Sequence, residues 1–393
     1  MARSVMRGVL FVFALAGCAG LCGCIARPSD NVDSLATTRP SQVSTVQLSA
    51  STRPVPVGVR IVELRGDPVQ IGTEHGRQCG DTIHLLYDRY LNVAVTGPDR
   101  FKASLAALVF VTQMLPEHQS ELAALGDSVG LSQADVALAQ CFLDLSAVTA
   151  CSTITLPASA APDGVARFGR NLDFPSLNIA DKHSVVFIYH PNGRYQFAAI
   201  GWPGMIGVLS GMNEYGLCLS NMEVSRSGRP PTAMPYTLLY RMVLEQCRTV
   251  DEAIALLEKT PRQTANNLML MDSADNRAVA EIRPEGVTVR RGTSSAPLIS
   301  TNHQRGQDTE TAGYCWRYDA LHADATSRLG RIDTKTMEWM LGKVVQGSHG
   351  DMTLQSMIFE PSSRVVYLAV GANAPSHHYE RIDLSRYFAI PAK

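Results

Sequence analysis

Apolar positions along residues 59–148 recur mostly at helical spacing, whereas beyond Cys151 they fall in short runs broken by turns. "RIVELRGDP" (60–68) predicts a short strand ending in a Gly-Asp-Pro turn, and "VQIGTEHGRQCGDTIHLLYDRYL" (69–91) a helix. Residues 102–114 and 117–126 repeat Leu, Ala, Val and Met at helical intervals. Ser132 and Asp135 form an acidic capping box ahead of "VALAQCFLDLSAV" (136–148). The later runs predict strands at 184–190, 195–201, 205–211, 216–224, 267–273, 278–283, 286–292, 297–303, 355–361 and 364–371. Asn192–Gly193 supplies a hairpin turn between the first two. Helical pairs at 235–247 with 250–259, and at 313–328 with 334–344, interrupt the strands. Strands and helix pairs without regular βαβ spacing predict an α+β fold with largely antiparallel sheets.

The amino terminus is different. Arg3 and Arg7 precede the apolar run "GVLFVFALA" (8–16), too short for a bilayer span, which takes about 20 apolar residues. Residues 1–24 therefore read as an export signal. It ends in "LAGC" and again in "LCGC", both similar to a bacterial lipobox. Cys18, in the better match, is expected to carry the lipid ahead of Cys24. Residues 25–57, rich in Ser, Thr and Pro, read as a tether. The expected address is outside the cytoplasm, membrane-anchored or periplasmic/extracellular, with membrane contact only through the anchor.

The chain has 393 residues, 45% of them hydrophobic, and a net charge of −1. That is ample for a large core and lacks the basic excess of a nucleic-acid binder. Six cysteines lie beyond the signal region, too few for a disulfide scaffold and without CxxC spacing for zinc. "SHHYE" (376–380) lacks a spaced carboxylate partner, and no Gly-rich phosphate loop occurs. Neither metal nor cofactor is expected.

"ACSTITLPASAAPDGVARFGRNLDF" (150–174) carries the chemistry. A cysteine in a strand is ordinarily an inert apolar residue. Pairing 151–156 with 165–170 as a hairpin brings Cys151 toward Arg170 and Asp173. A cation there stabilises a thiolate, and an acceptor orients an amine. "GLCLSNMEV" (216–224) puts Asn221 and Glu223 on one strand face, and "STNHQ" ends an apolar run with Asn302, an amide able to face an oxyanion. The base is either His303, or an α-amine freed at Cys151, of pKa about 7.7–8.0.

Several segments resemble the cysteine-type N-terminal-nucleophile (Ntn) hydrolases, a group that includes choloylglycine hydrolases, acyl-coenzyme A:6-aminopenicillanate acyltransferases and acid ceramidase. "ELRGDPVQIGTEHG" (63–76) resembles the opening of the pro-region, and 151–174 the nucleophile hairpin. "GMNEYGLCLSNMEV" (211–224) is similar to the strand leading to an oxyanion residue, "TNH" (301–303) to the penicillin-acyltransferase branch, and "WRYDAL" (316–321) to a helix with a functional arginine. The resemblance covers about 55–385. It implies an αββα sandwich of two antiparallel sheets, with a mostly helical pro-region at 58–150 and a catalytic domain at 151–393. It also implies Cys151 as nucleophile and, after a cut at Ala150–Cys151, as base. Asp173 would orient the amine, Arg170 position the thiolate, and Asn302 with Asn221 (Glu223 in reserve) serve the oxyanion. Arg317 would complete the charge network. The expected activity is hydrolysis of a linear, non-peptide N-acyl amide through an acyl-cysteine. The alternatives are acyl transfer to an amine, a Cys151–His303 thiol protease, and a binding lipoprotein without turnover.

Overall fold

The structure, a computed structural model, describes residues 58–146, 150–225, 232–306, 314–347 and 351–388. The signal, lipobox and tether readings on 1–57, with Cys18 and Cys24, lie outside the described residues.

β1 (Arg60–Gly66) leads into α1 (Pro68–Leu86). Asp67 caps that helix reciprocally: its carboxylate accepts from Gln70 N–H, and its own N–H donates to the Gln70 side chain. A π turn (Tyr87–Leu91) continues into the short α2 (Asn92–Ala94). Three more helices follow: α3 (Gly97–Val111), α4 (Pro116–Val129) and α5 (Gln133–Leu145).

Two sheets then share the strands. The first orders β1, β4 (Val185–Pro191), β5 (Phe197–Gly201), β6 (Ser210–Asn213), β7 (Cys218–Ser225), β8 (Ala265–Met271), β9 (Arg277–Arg283) and β10 (Gly286–Arg291). The second orders β11 (Leu298–Ser300), β2 (Ala150–Leu156), β3 (Arg167–Pro175), β12 (Asp351–Glu360), β13 (Val365–Val370) and β14 (Glu380–Asp383). Every pairing is antiparallel except β1 with β4.

The sheets stack face to face. Phe168, Leu172, Met357 and Phe359 belong to the shared core with Met212, Met222 and Met269. Strand alternation sends Ile154, Leu156 and Ile358 the other way, into a second core under Met337, Met340 and Leu341. Those residues belong to α9 (Thr334–Lys343), which lies beside α8 (Trp316–Ser327). α9 descends close to β3: a Cβ on Gly169 would stand 2.9 Å from Met337 Sδ. On the far side, α6 (Tyr236–Gln246) and α7 (Val250–Lys259) cover the first sheet. The layers are thus αββα, as the family resemblance implies.

One strand sits later than the sequence reading puts it. The strand expected at 205–211 occupies Ser210–Asn213, because 205–208 form the connecting loop. The short strand expected within 60–68 forms β1 and pairs with the first sheet, with Val62 and Leu64 buried. The "GMNEYG" turn has a structural cause. Asn213 Oδ1 accepts from Tyr215 and Leu217 N–H while its Nδ2 donates to Leu244 and Cys247 carbonyls, and Gly216 sits at φ 83°.

Candidate active site

The hairpin of β2 and β3 sets the site. Cys151 is registered with Leu172, Thr153 with Arg170 and Ala150 with Asp173. Alternation puts the Cys151, Arg170 and Leu172 side chains on the face toward the first sheet. All three groups of Cys151 are held. Its N–H donates to Asn302 Oδ1 at 2.8 Å. Its carbonyl accepts from Arg317 Nη1 at 2.7 Å. Its Sγ receives Arg170 Nη2 at 3.3 Å.

Each holder is itself held. Arg170 Nη1 donates to Leu209 O (2.7 Å) and Ser210 Oγ (2.6 Å) across the sheet interface. Arg317, reaching in from the first turn of α8, also donates to Asp173 Oδ2 (3.1 Å) and Asn302 Oδ1 (2.9 Å). Asp173 Oδ1 accepts from Thr353 Oγ1 at 2.5 Å. Asn302 Nδ2 donates to Glu223 O at 2.6 Å. Cys151, Arg170, Asp173, Asn302 and Arg317 are all buried. Two guanidinium groups against one carboxylate leave this constellation with an excess positive charge, a preorganised field for a thiolate or an oxyanion.

Electrostatics in the uncut chain favour the neutral thiol. Burial pushes Cys151 up to about 11, and Arg170 and Arg317 oppose that shift without overcoming it. The other free cysteines, Cys79, Cys141, Cys218 and Cys247, are buried and likewise raised. Cys151 alone among these five accepts a hydrogen bond from an arginine.

Five of the six residues singled out from the sequence meet here. Asn221 does not. Ser210, which bonds Arg170, is registered with Ser220, so that face of β7 looks toward the thiol. Asn221, opposite Leu268, projects to the other face, and its side chain has no hydrogen-bond partner among the described residues. Glu223 reaches the site through its carbonyl instead. Alternation alone does not say which face of a strand looks inward, and here that decides the matter. The group holding Cys151 N in the uncut chain is Asn302; the Asp173 carboxylate is occupied by Arg317 and Thr353. No histidine hydrogen-bonds the Cys151 thiol among the described residues. His303 contributes its carbonyl to Asn267, and burial with the Arg317 and Arg305 charges lowers its pKa. Ser210 and Thr353 went unpredicted, since a lone hydroxyl in a strand carries no sequence signal.

Residues 160–375 match the family model of acyl-coenzyme A:6-aminopenicillanic acid acyl-transferase. The chain belongs to this family. Two Dictyostelium discoideum proteins are also similar to it. Protein dcd1B is 23% identical over 248 residues, covering 56% of this chain and 49% of that protein. Protein dcd1A is 24% identical over 234 residues, covering 50% and 52%. The chain thus matches about half the length of these curated relatives. A Caenorhabditis elegans N-acylethanolamine-hydrolyzing acid amidase ortholog superposes with a TM-score of 0.45 at 19% identity, covering 54% of this chain and 93% of that one. Among the described residues, no group of three or more His, Cys, Asp or Glu side chains is placed to hold a metal.

Proposed function

We propose that this member of the acyl-transferase family is a self-processing cysteine amidohydrolase that splits a linear N-acyl amide through an acyl-cysteine intermediate. The observation that carries the reading is the separate anchoring of the Cys151 N, O and Sγ by Asn302, Arg317 and Arg170. Such anchoring keeps the nucleophile in place when the bond before it is broken.

In the processing step, Sγ attacks the Ala150 carbonyl. The C–N bond to Cys151 breaks as the nitrogen takes a proton. Water then hydrolyses the Ala150 thioester, releasing the Ala150 carboxylate and regenerating the thiol. The new α-amine, with a reference pKa of about 7.7–8.0, is a base attached to its own nucleophile. It takes the thiol proton as Sγ attacks a substrate carbonyl, then passes that proton to the departing amine. Asn302, held beside the Cys151 nitrogen, is the side-chain amide assigned to the oxyanion, and the Arg170–Arg317 pair supplies the favourable field. Water resolves the acyl-cysteine. Transfer to an amine would share every step except the last, and the address outside the cytoplasm read from residues 1–24 favours water over transfer from acyl-coenzyme A.

Intact mass under denaturing conditions tests this on the chain from residue 27. Wild type is expected to separate into two pieces, the larger being 151–393, while Cys151→Ala stays whole. Two uncut chains would remove the base and with it the proposal.

A further inference from the structure

β11 ends at Ser300, so Thr301 and Asn302 continue past the last paired position of that strand. The backbone that carries Asn302 is gripped from the first sheet instead. Asn267 of β8 donates from Nδ2 to Thr301 O at 2.9 Å and to His303 O at 2.8 Å. One side-chain amide thus places both its N–H bonds on the carbonyls that flank Asn302. Its register partner on β9, Glu281, accepts from Arg305 N–H at 2.9 Å and from Gly306 N–H at 2.6 Å. Arg290 of β10 holds that carboxylate at 2.7 Å and also donates to Ile299 O at 3.1 Å. The gripped segment then meets α8: the Arg305 guanidinium lies 3.6 Å from the centre of the Tyr318 ring, beside Arg317, whose Nη2 reaches Asn302 Oδ1.

Packing alone does not account for an asparagine at 267. The residue is fully buried, and its register partner on β7 is Met222. Met269, two residues on, shares its face and belongs to the core between the sheets. Asn267 Oδ1 has no hydrogen-bond partner among the described residues, and leaving a buried polar atom unpaired costs about 1–3 kcal/mol. A leucine of similar shape would avoid that cost. What the amide adds over leucine is the pair of donors aimed at residues 301 and 303.

We infer that Asn267 is a positioning residue: it fixes the backbone on both sides of Asn302, so that the Asn302 amide stands where the oxyanion develops, and Glu281 extends the grip to Gly306. The inference rests on the amidase reading above. The Asn267 side chain donates to that backbone and not to Cys151, so its effect on the reaction passes through Asn302.

Asn267→Leu removes both donors at nearly constant volume. The test measures kcat and KM of the cut form on a fluorogenic N-acyl aminocoumarin amide, beside hydrogen exchange of the peptide spanning 301–306. Losing an oxyanion donor outright lowers kcat roughly 10²–10³-fold. A displaced Asn302 is expected to lose about tenfold or more of kcat with KM within about twofold, because the donor serves the transition state more than the bound substrate. The Arg305 and Gly306 amides are expected to exchange at least about tenfold faster than in wild type. If Asn267→Leu stays uncut, Asn267→Ser, which keeps one O–H donor, takes its place, with a smaller loss of kcat expected. Wild-type kcat in the cut variant, or a loss carried by KM alone, overturns the positioning role. Unchanged exchange overturns the grip itself. A wild type that hydrolyses no amide removes the amidase reading, and the exchange rates then decide the grip on their own.

Discussion

Arg170→Met removes the one cation that, among the described residues, donates to the Cys151 sulfur. The change leaves little else unsatisfied: Leu209 O still accepts from Asn221 N–H, and Ser210 loses a single donor. The Nη2–Sγ contact is 3.3 Å. Placing the charge centres about 4 Å apart at an effective dielectric of 20 gives an attraction of about 4 kcal/mol for the thiolate. At 1.36 kcal/mol per pH unit, its loss raises the thiol by roughly 3 units and cuts the thiolate fraction near neutrality about a thousandfold. Because the lost charge favoured the ionised form, activity should recover as pH rises. The assay is kcat/KM against pH in the cut form, with iodoacetamide labelling of the Cys151 peptide as a direct readout of thiolate. A folded variant whose labelling profile coincides with wild type, or whose kcat/KM stays within threefold at neutral pH, refutes this account of Arg170.

Two further outcomes follow from buried charges away from the thiol. Arg241 bonds Glu121 of α4 at 2.7 and 2.6 Å and Glu245 at 2.8 Å, so this pair of bridges straddles the proposed cut. Arg241→Met strands the Glu121 carboxylate and leaves Glu245 only its His118 contact, so it should cost about 3–5 kcal/mol in denaturant unfolding, with the two pieces separating on gel filtration, and Arg241→Met with Glu121→Leu and Glu245→Leu should recover most of the loss. His75 is buried, its Nε2 accepts from Gly204 N–H, and desolvation lowers it to about 3. A base depressed on folding contributes stability above its unfolded value of about 6.5 and loses it as pH falls toward about 3; the wild type should therefore show a steeper loss over that window than His75→Gln, by up to roughly 5 kcal/mol.

The strand and helix segments were legible in the sequence because period carries them, whereas their αββα layering came only from the family resemblance. Apolar alternation in 151–225 and 265–291 marks strands buried on at least one face, and the capping pairs Ser132–Asp135 and Thr249–Glu252 mark helix starts that the structure keeps. β14 (Glu380–Asp383) escaped notice, as an edge strand too short to show a period. Cys151, Arg170 and Asp173 lie on one hairpin, so local pairing alone brings them together. Asn302 and Arg317 arrive from 151 and 166 residues away in sequence. No local pattern links them to Cys151: Asn302 stood out as an amide ending an apolar run and through the resemblance of "TNH", and Arg317 only through that of "WRYDAL". The Asn221 reading failed on the one fact alternation leaves open: which face of β7 the second sheet covers.

The uncut chain is chemically quiet for a reason the site itself supplies. The same burial that excludes water from Cys151 holds its thiol near 11, above the reach of Arg170 alone. An internal histidine would cancel that penalty by taking the proton, but none among the described residues hydrogen-bonds the sulfur, and burial with the Arg317 and Arg305 charges drives His303 toward its neutral form. The remaining nitrogen within the site is that of Cys151, and as an amide it is no base. In the proposed mechanism, breaking the bond to Ala150 changes that one atom from amide to amine while Asn302, Arg317 and Arg170 anchor the three groups of Cys151. Processing and activation are a single event on that proposal, and any variant that blocks the cut should also leave the thiol protonated near neutrality.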